Sequence, residues 1–234
     1  MSNDIEKDMK NSVGDVLHAA VSAGLGSVPI VGSIASELFN LVLTSPVEKR
    51  KEDWLLRIYK TLQDVQEKVE DFNMENLAVN EQFISIMTRA SQLAVVNHQK
   101  EKLEALHNAV INTALNIAID ENEKMMFLNM IDIFTPWHLK IIFYFDNPKA
   151  RLSENGIVTN FYMGSAYEPL FLFYTELSHR KDFVSLIVKE LHRNGIMNTD
   201  SLGTMMTGDG MVSSRLTDYG RRFYEFIKNY DQTK

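Results

Sequence analysis

Residues 45–72 read SPVEKRKEDWLLRIYKTLQDVQEKVEDF. Ser45-Pro46-Val47-Glu48 is a capping box with proline at the first helical position. The Ser45 hydroxyl can accept from the amide near Glu48 while Glu48 reaches back, so a helix starts here. Leu55, Ile58, Leu62, Val65, Val69 and Phe72, with Trp54 beside them, then recur at spacings of three and four. They form one apolar stripe over about five turns. Such a stripe is core, or a contact with another copy. The charges of Glu48, Lys49, Arg50, Lys51, Glu52 and Asp53 offset one another, and the cluster reads as a solvated face.

Downstream the same period continues. A helix is expected from about Asn80 to Asn97, with Phe83, Met87, Ala90 and Ala94 on one side. Another is expected from about Gln99 to Ile119, with Leu103, Leu106, Val110, Ala114 and Ile117 on one side. Asp120-Glu-Asn-Glu reads as a loop, and Met125 to Phe134 as an apolar turn or two in which Met125, Met126 and Met130 take core positions. Thr135-Pro136-Trp137 caps a helix running to about Phe145. Residues 45–146 therefore read as a helical bundle.

Upstream, Val16 to Ser36 reads VLHAAVSAGLGSVPIVGSIAS, 21 residues without Asp, Glu, Lys or Arg, and Glu37 is the one charge from there to Val47. The length suits a bilayer span, but Gly24, Gly26, Pro29 and Gly32 interrupt any helix. A helical hairpin over residues 1–44 is the expectation, turning at Ser27-Val28-Pro29 and resuming near Ile30 and Val31. Small residues let helix backbones approach closely, whether in a protein core, in an oligomer or in a membrane. Gly24, Gly26, Pro29, Ile30, Val31 and Gly32 are the candidate membrane or oligomer segment. The glycine spacing misses G-x-G-x-x-G and follows no strand signal, so it carries no nucleotide reading. The first twelve residues mix acids and bases, unlike a secretory signal, and cytoplasmic synthesis, with a place at the inner face of the membrane, is the expectation.

The 234 residues carry a formal charge of −7, and it divides unevenly. Residues 1–134 hold 12 Lys and Arg against 20 Asp and Glu, whereas residues 135–234 hold 12 against 11. Of 23 aromatic residues, seven precede residue 135 and 16 follow it. Two modules with different packing chemistry follow from this, and the acidic half repels nucleic acid and anionic lipid at long range. No cysteine is present, which removes disulfides, thiolate metal sites and cysteine nucleophiles together.

Residues 147–166, with Pro148, Asn155-Gly156 and Gly164 as breakers, read as an irregular joint. Beyond it a helix is expected at about Tyr167 to Leu177 and a second from Lys181 to Arg193, ended by Asn194-Gly195. Extended Ile196-Met-Asn follows, then a flexible hairpin tip over Ser201 to Ser213. Arg215-Leu216-Thr217 resumes the strand, and Thr217 caps a last helix to about Tyr230. This order, with LHRNGI and SRLTDYGRRFYEFI, resembles the winged helix-turn-helix superfamily over about residues 167–230. The resemblance implies either a DNA reader or a protein-contact module. In DNA-reading members the helix matching Lys181 to Arg193 enters the major groove. Arg180, Lys181, Ser185, Lys189, His192, Arg193 and Arg215 are the residues such a role would use. Against it, Phe183, Val184, Leu186, Ile187, Val188 and Leu191 consume most of that helix, Asp182 and Glu190 offset its bases, and the wing carries Asp200 and Asp209 but no base before Arg215.

As a whole the chain resembles a group of bacterial helical proteins that join a segment like SVPIVGSIASELFNLVL, a capped SPVEKRKEDW, a stretch like NHQKEKLEALHNAVINTALN, a TPWHLK turn and a winged-helix-like tail. Its apolar front is similar, in composition and position, to the glycine-containing helices of membrane-permeabilising helical-bundle effectors. No catalytic constellation is legible: His18, His98, His107, His138, His179 and His192 are dispersed, and no G-x-S-x-G, Walker loop, calcium loop or S-x-x-K occurs. The expected fold is mainly α, an N-terminal hairpin and bundle followed by a small winged-helix-like α+β module at residues 167–234. The expected function is non-enzymatic and without cofactor: self-association or membrane insertion through the N-terminal segment, with the winged helix contacting a protein partner. The alternative is a DNA-binding regulator that dimerises through its bundle.

Overall fold

The computed structural model describes residues 46–158 and 160–230. The expected hairpin over residues 1–44, with Gly24, Gly26, Pro29, Ile30, Val31 and Gly32, lies outside those residues, as do the side-chain bonds of the Ser45–Glu48 box. The described chain is mainly helical, with one small two-stranded sheet. No described helix is long and apolar enough to cross a membrane. Two compact units divide it: one holds the residues up to Asp132 and those from Phe226 on, the other Ile133–Glu225. The division falls at residue 132.

In the first unit α1 (Pro46–Lys68), α2 (Glu81–Val96) and α3 (Lys100–Ala114) pack on one another. The stripe on α1 is buried at Trp54, Ile58, Leu62 and Val65, and half-buried at Leu55 and Val69. Phe83, Ile86, Met87 and Ala90 of α2 and Leu106, Val110 and Ile111 of α3 complete the core, each large aliphatic or aromatic side chain contributing about 1.5–3 kcal/mol by leaving water. Asn80 caps α2 by accepting from the Phe83 amide at 3.0 Å, and Asn97 ends it.

Local chemistry corrects three sequence expectations. The third helix ends at Ala114 instead of Ile119, because Asn116 takes φ +54° and the amides of Asn116 and Ile117 bond back to Thr113 and Asn112. Asp120-Glu-Asn-Glu is not a loop. Asp120 Oδ1 accepts from the Asn122 amide at 2.9 Å and opens α4 (Glu121–Ile133), where Met126 turns outward while Phe127, Leu128 and Ile131 are buried. The irregular stretch at 147–166 holds a helix, α6 (Pro148–Glu154). Its apparent breakers are its start and stop: Asn147 caps the Ala150 amide, Pro148 occupies the first turn, and Gly156 at φ +69° closes it.

In the second unit α5 (Pro136–Asp146) and α6 precede strand β1 (Met163–Gly164), α7 (Tyr167–Phe173), α8 (Lys181–Arg193), strand β2 (Met206–Thr207), the single turn α9 (Gly208–Met211) and α10 (Asp218–Ile227). Helix α10 carries its last two residues into the first unit. The strands are antiparallel, pairing Met163 with Thr207 and Gly164 with Met206. Met197 and Leu216 form a separate antiparallel bridge, as the two extended segments predict. Between them Ser201–Ser213 is not a free hairpin tip: it supplies β2 and α9, and buries Leu202, Met211 and Val212.

Candidate interaction surface

Helix α8 is built to hide one side. Val184, Ile187, Val188 and Leu191 are buried, and Gly195 at φ +74° stops the helix with its amide bonded to the His192 carbonyl. The chain then pairs with residues 215–217, where the Asn198 amide donates to Arg215 O at 2.9 Å and the Thr217 amide to Ile196 O at 3.0 Å. Thr217 Oγ1 accepts from the Gly220 amide at 2.8 Å and caps α10.

The other side of α8 is open. Lys181, Asp182, Lys189, His192 and Arg193 are exposed and Ser185 is half-buried. Leu186 is 54% exposed, which corrects its expected place in the core. It stands four residues after Asp182 and three before Lys189, so the 3.6 period puts it on their face. Arg180 lays its guanidinium 3.9 Å from the Phe183 ring centroid, and Lys181 Nζ sits 4.9 Å from that of Tyr167. Arg215 does not join this face. Its guanidinium donates to Gly210 O at 2.6 Å and lies 2.8 Å from Met206 Sδ, with burial lowering its pKa. It ties the β2–α9 segment down.

The acid expected to offset Lys189 is otherwise engaged. His138, buried at the third position of α5, receives the Thr135 amide on Nδ1 at 3.1 Å, with the Thr135 hydroxyl 2.9 Å from the same nitrogen. Nδ1 is therefore the unprotonated nitrogen, and Nε2–H donates to Glu190 Oε2 at 2.8 Å. The ring stacks on Phe134 with centroids 4.9 Å apart. Burial holds the His138 pKa below its ordinary value, while the hydrogen bond and charge of Glu190 pull the other way. His138 thus plays the part that Glu or Gln takes in a capping box, and its other ring nitrogen holds the Glu190 carboxylate. The one sequence signal for it is T-P-W-H, which places His138 where the box acid stands.

Among the described residues the remaining histidines do not gather. His98, His179 and His192 are exposed, and His107 is buried between Thr61 and Asn108. Among the described residues no three His, Asp or Glu side chains are placed to hold a metal ion. No family model, curated protein or solved structure matches the chain.

Proposed function

We propose that this chain is a non-enzymatic interaction protein. The outer face of α8 contacts a partner, and the uncharged stretch ahead of α1 self-associates or enters lipid. The observation that carries the reading is the amphiphilic face of α8, where exposed Leu186 stands among Lys181, Lys189 and Arg193 while Glu190 is held by His138. A half-exposed leucine ringed by solvated bases is the composition of a contact surface with an apolar centre and a charged rim. The order α7, α8, paired extended segments and α10 supports a winged-helix module. The low charge and small residues of Val16 to Ser36 support the lipid or oligomer role.

Liposome co-sedimentation and growth inhibition on expression test it, comparing the full chain with residues 45–234. Sedimentation and toxicity that vanish with residues 1–44 are expected. A full chain that neither sediments with lipid nor slows growth overturns the membrane part.

One observation favours DNA as a second reading: Arg180, Lys181, Lys189 and Arg193 all stand exposed on and beside the outer face of α8. Binding would then weaken steeply with salt and be lost in Lys189→Glu/Arg193→Glu. Flat binding across a genomic fragment library rules it out. The engagement of Arg215 and the acids Asp200 and Asp209 near β2 weigh toward protein contact.

A further inference from the structure

We propose that the outer face of α8 docks on the acidic corner at the end of α1 in a second copy of this chain, joining copies head to tail. The inference rests on reading α8 as a contact face and names its partner.

Both surfaces are present in one chain. Across residues 64–75, Asp64, Glu67, Glu70, Asp71 and Glu75 are all exposed, and Lys68 is the one base among them. None of these five acids forms an ion pair among the described residues. Their position is electrostatically costly. Helix α1 ends at Lys68, and its unpaired terminal carbonyls already concentrate negative charge there, so carboxylates at and just past that end are unfavourable and a cation relieves them. Lys68 in the last turn of α1 and the first turn of the helical segment Met74–Val79, where Glu75 stands, offset only part of this charge, which leaves the corner open to a cationic partner. Val69 and Phe72, both half-buried between the acids, leave apolar surface to receive Leu186.

Charge also selects the pairing. The corner carries five acids against one base, whereas the exposed bases on and beside the α8 face, Arg180, Lys181, Lys189 and Arg193, outnumber its acids Asp182 and Glu190. Corner against corner repels, and so does α8 against α8. The attractive pairing is therefore heterologous, α8 of one copy on the corner of the next, a geometry that closes into a ring or runs on as a filament.

The test uses the full chain with charge exchange. Sedimentation velocity at about 50 mM and about 500 mM salt should show association at the lower ionic strength that weakens at the higher, as screening requires. Lys189→Glu/Arg193→Glu alone, and Glu67→Lys/Glu70→Lys alone, should each raise the apparent Kd by about tenfold or more. Mixed one to one, the two variants should associate again, because each supplies the face that the other has reversed. All four positions are exposed, and matching thermal unfolding of variants and wild type verifies that folding is intact. A mixture that stays apart, or variants that associate as the wild type does, overturns the proposal. A wild type that stays monomeric at low salt overturns the choice of a second copy while leaving α8 open to another protein. Loss of association in the corner variant but not in the α8 variant overturns the reading of α8 itself.

Discussion

Asn112 donates from Nδ2 to the main-chain carbonyl of Phe226 at 3.0 Å, across 114 residues of chain. The same amide nitrogen reaches Lys228 O at 2.9 Å, and one turn earlier on α3 Asn108 Nδ2 reaches Ile227 O at 2.8 Å. Two asparagines four apart on one helix thus satisfy three of the last carbonyls of α10 and its exit, groups every helix end leaves without internal partners. This is why the residues from Phe226 on belong with the first unit.

Asn112→Ala should therefore destabilise the protein by about 1–3 kcal/mol, since it strands carbonyls where water is scarce. Asn112→Asp should cost more, because it sets a carboxylate against those carbonyls. Urea unfolding measures both, and hydrogen exchange should rise first at the amides around residues 226–228. An alanine variant as stable as wild type would show that the caps carry no net weight.

His107 gives a pH signature of known sign. Burial, then the Arg57 charge, hold its pKa down to about 4 against an ordinary 6.5, with a hydrogen bond to Asn108 acting the other way. Between about pH 6.5 and pH 4 the unfolded chain binds more protons than the native one, so stability falls as pH falls and levels off once His107 is protonated in both states. The contribution is whole above pH 6.5. The urea midpoint followed from pH 7.5 to 4 should drop through that window in wild type and drop less in His107→Gln. Parallel curves would assign the loss to other groups.

Gly220 and Gly208 are needed for space rather than freedom. A Cβ at Gly220 would fall on the carbonyl of Ile196, and one at Gly208 on the carbonyl of Phe161. Gly220→Ala should lower stability by about 1–3 kcal/mol through overpacking, although alanine is the better helix former by about 1 kcal/mol. Gly156→Ala is the control for a different cause: nothing lies near its Cβ, and the cost there comes from φ +69°. Thermal unfolding of the two variants separates the two effects, and a neutral or stabilised Gly220→Ala contradicts the close approach.

Lys124 is 2% exposed and gives its ammonium to Gln82 Oε1 at 3.0 Å. Burial lowers its pKa, and Glu121 and Asp120 partly restore it. Because the folded pKa lies below the unfolded one, wild-type stability should rise as pH climbs toward 10.5, a slope that Lys124→Met should reduce. At neutral pH the methionine variant should stay within about 1 kcal/mol of wild type or exceed it, since it fills the volume without burying a charge. Lys124→Ala should lose about 2–4 kcal/mol to the cavity. A methionine variant as damaged as the alanine one would mean that the hydrogen bond to Gln82 outweighs desolvation.

The features legible in the chain before it folds are those governed by chemistry within a few residues. Asn80 and Asn97 bound α2, Thr217 caps α10, and Asn194-Gly195 closes a helix that runs from Lys181 to Arg193 as expected. In each case the cap bonds to amides or carbonyls within one turn, so residue type and spacing suffice. The same local grammar is ambiguous at Asp120 and at Asn147-Pro148, where residues common to loops and to helix starts open helices. Tertiary structure decided what local spacing does not contain. The Glu190 carboxylate goes to His138, 52 residues away, and Asn112 finds Phe226, 114 residues away. Each of these bonds was settled by which helix packed beside which, because a polar side chain leaving water takes the nearest partner the fold supplies.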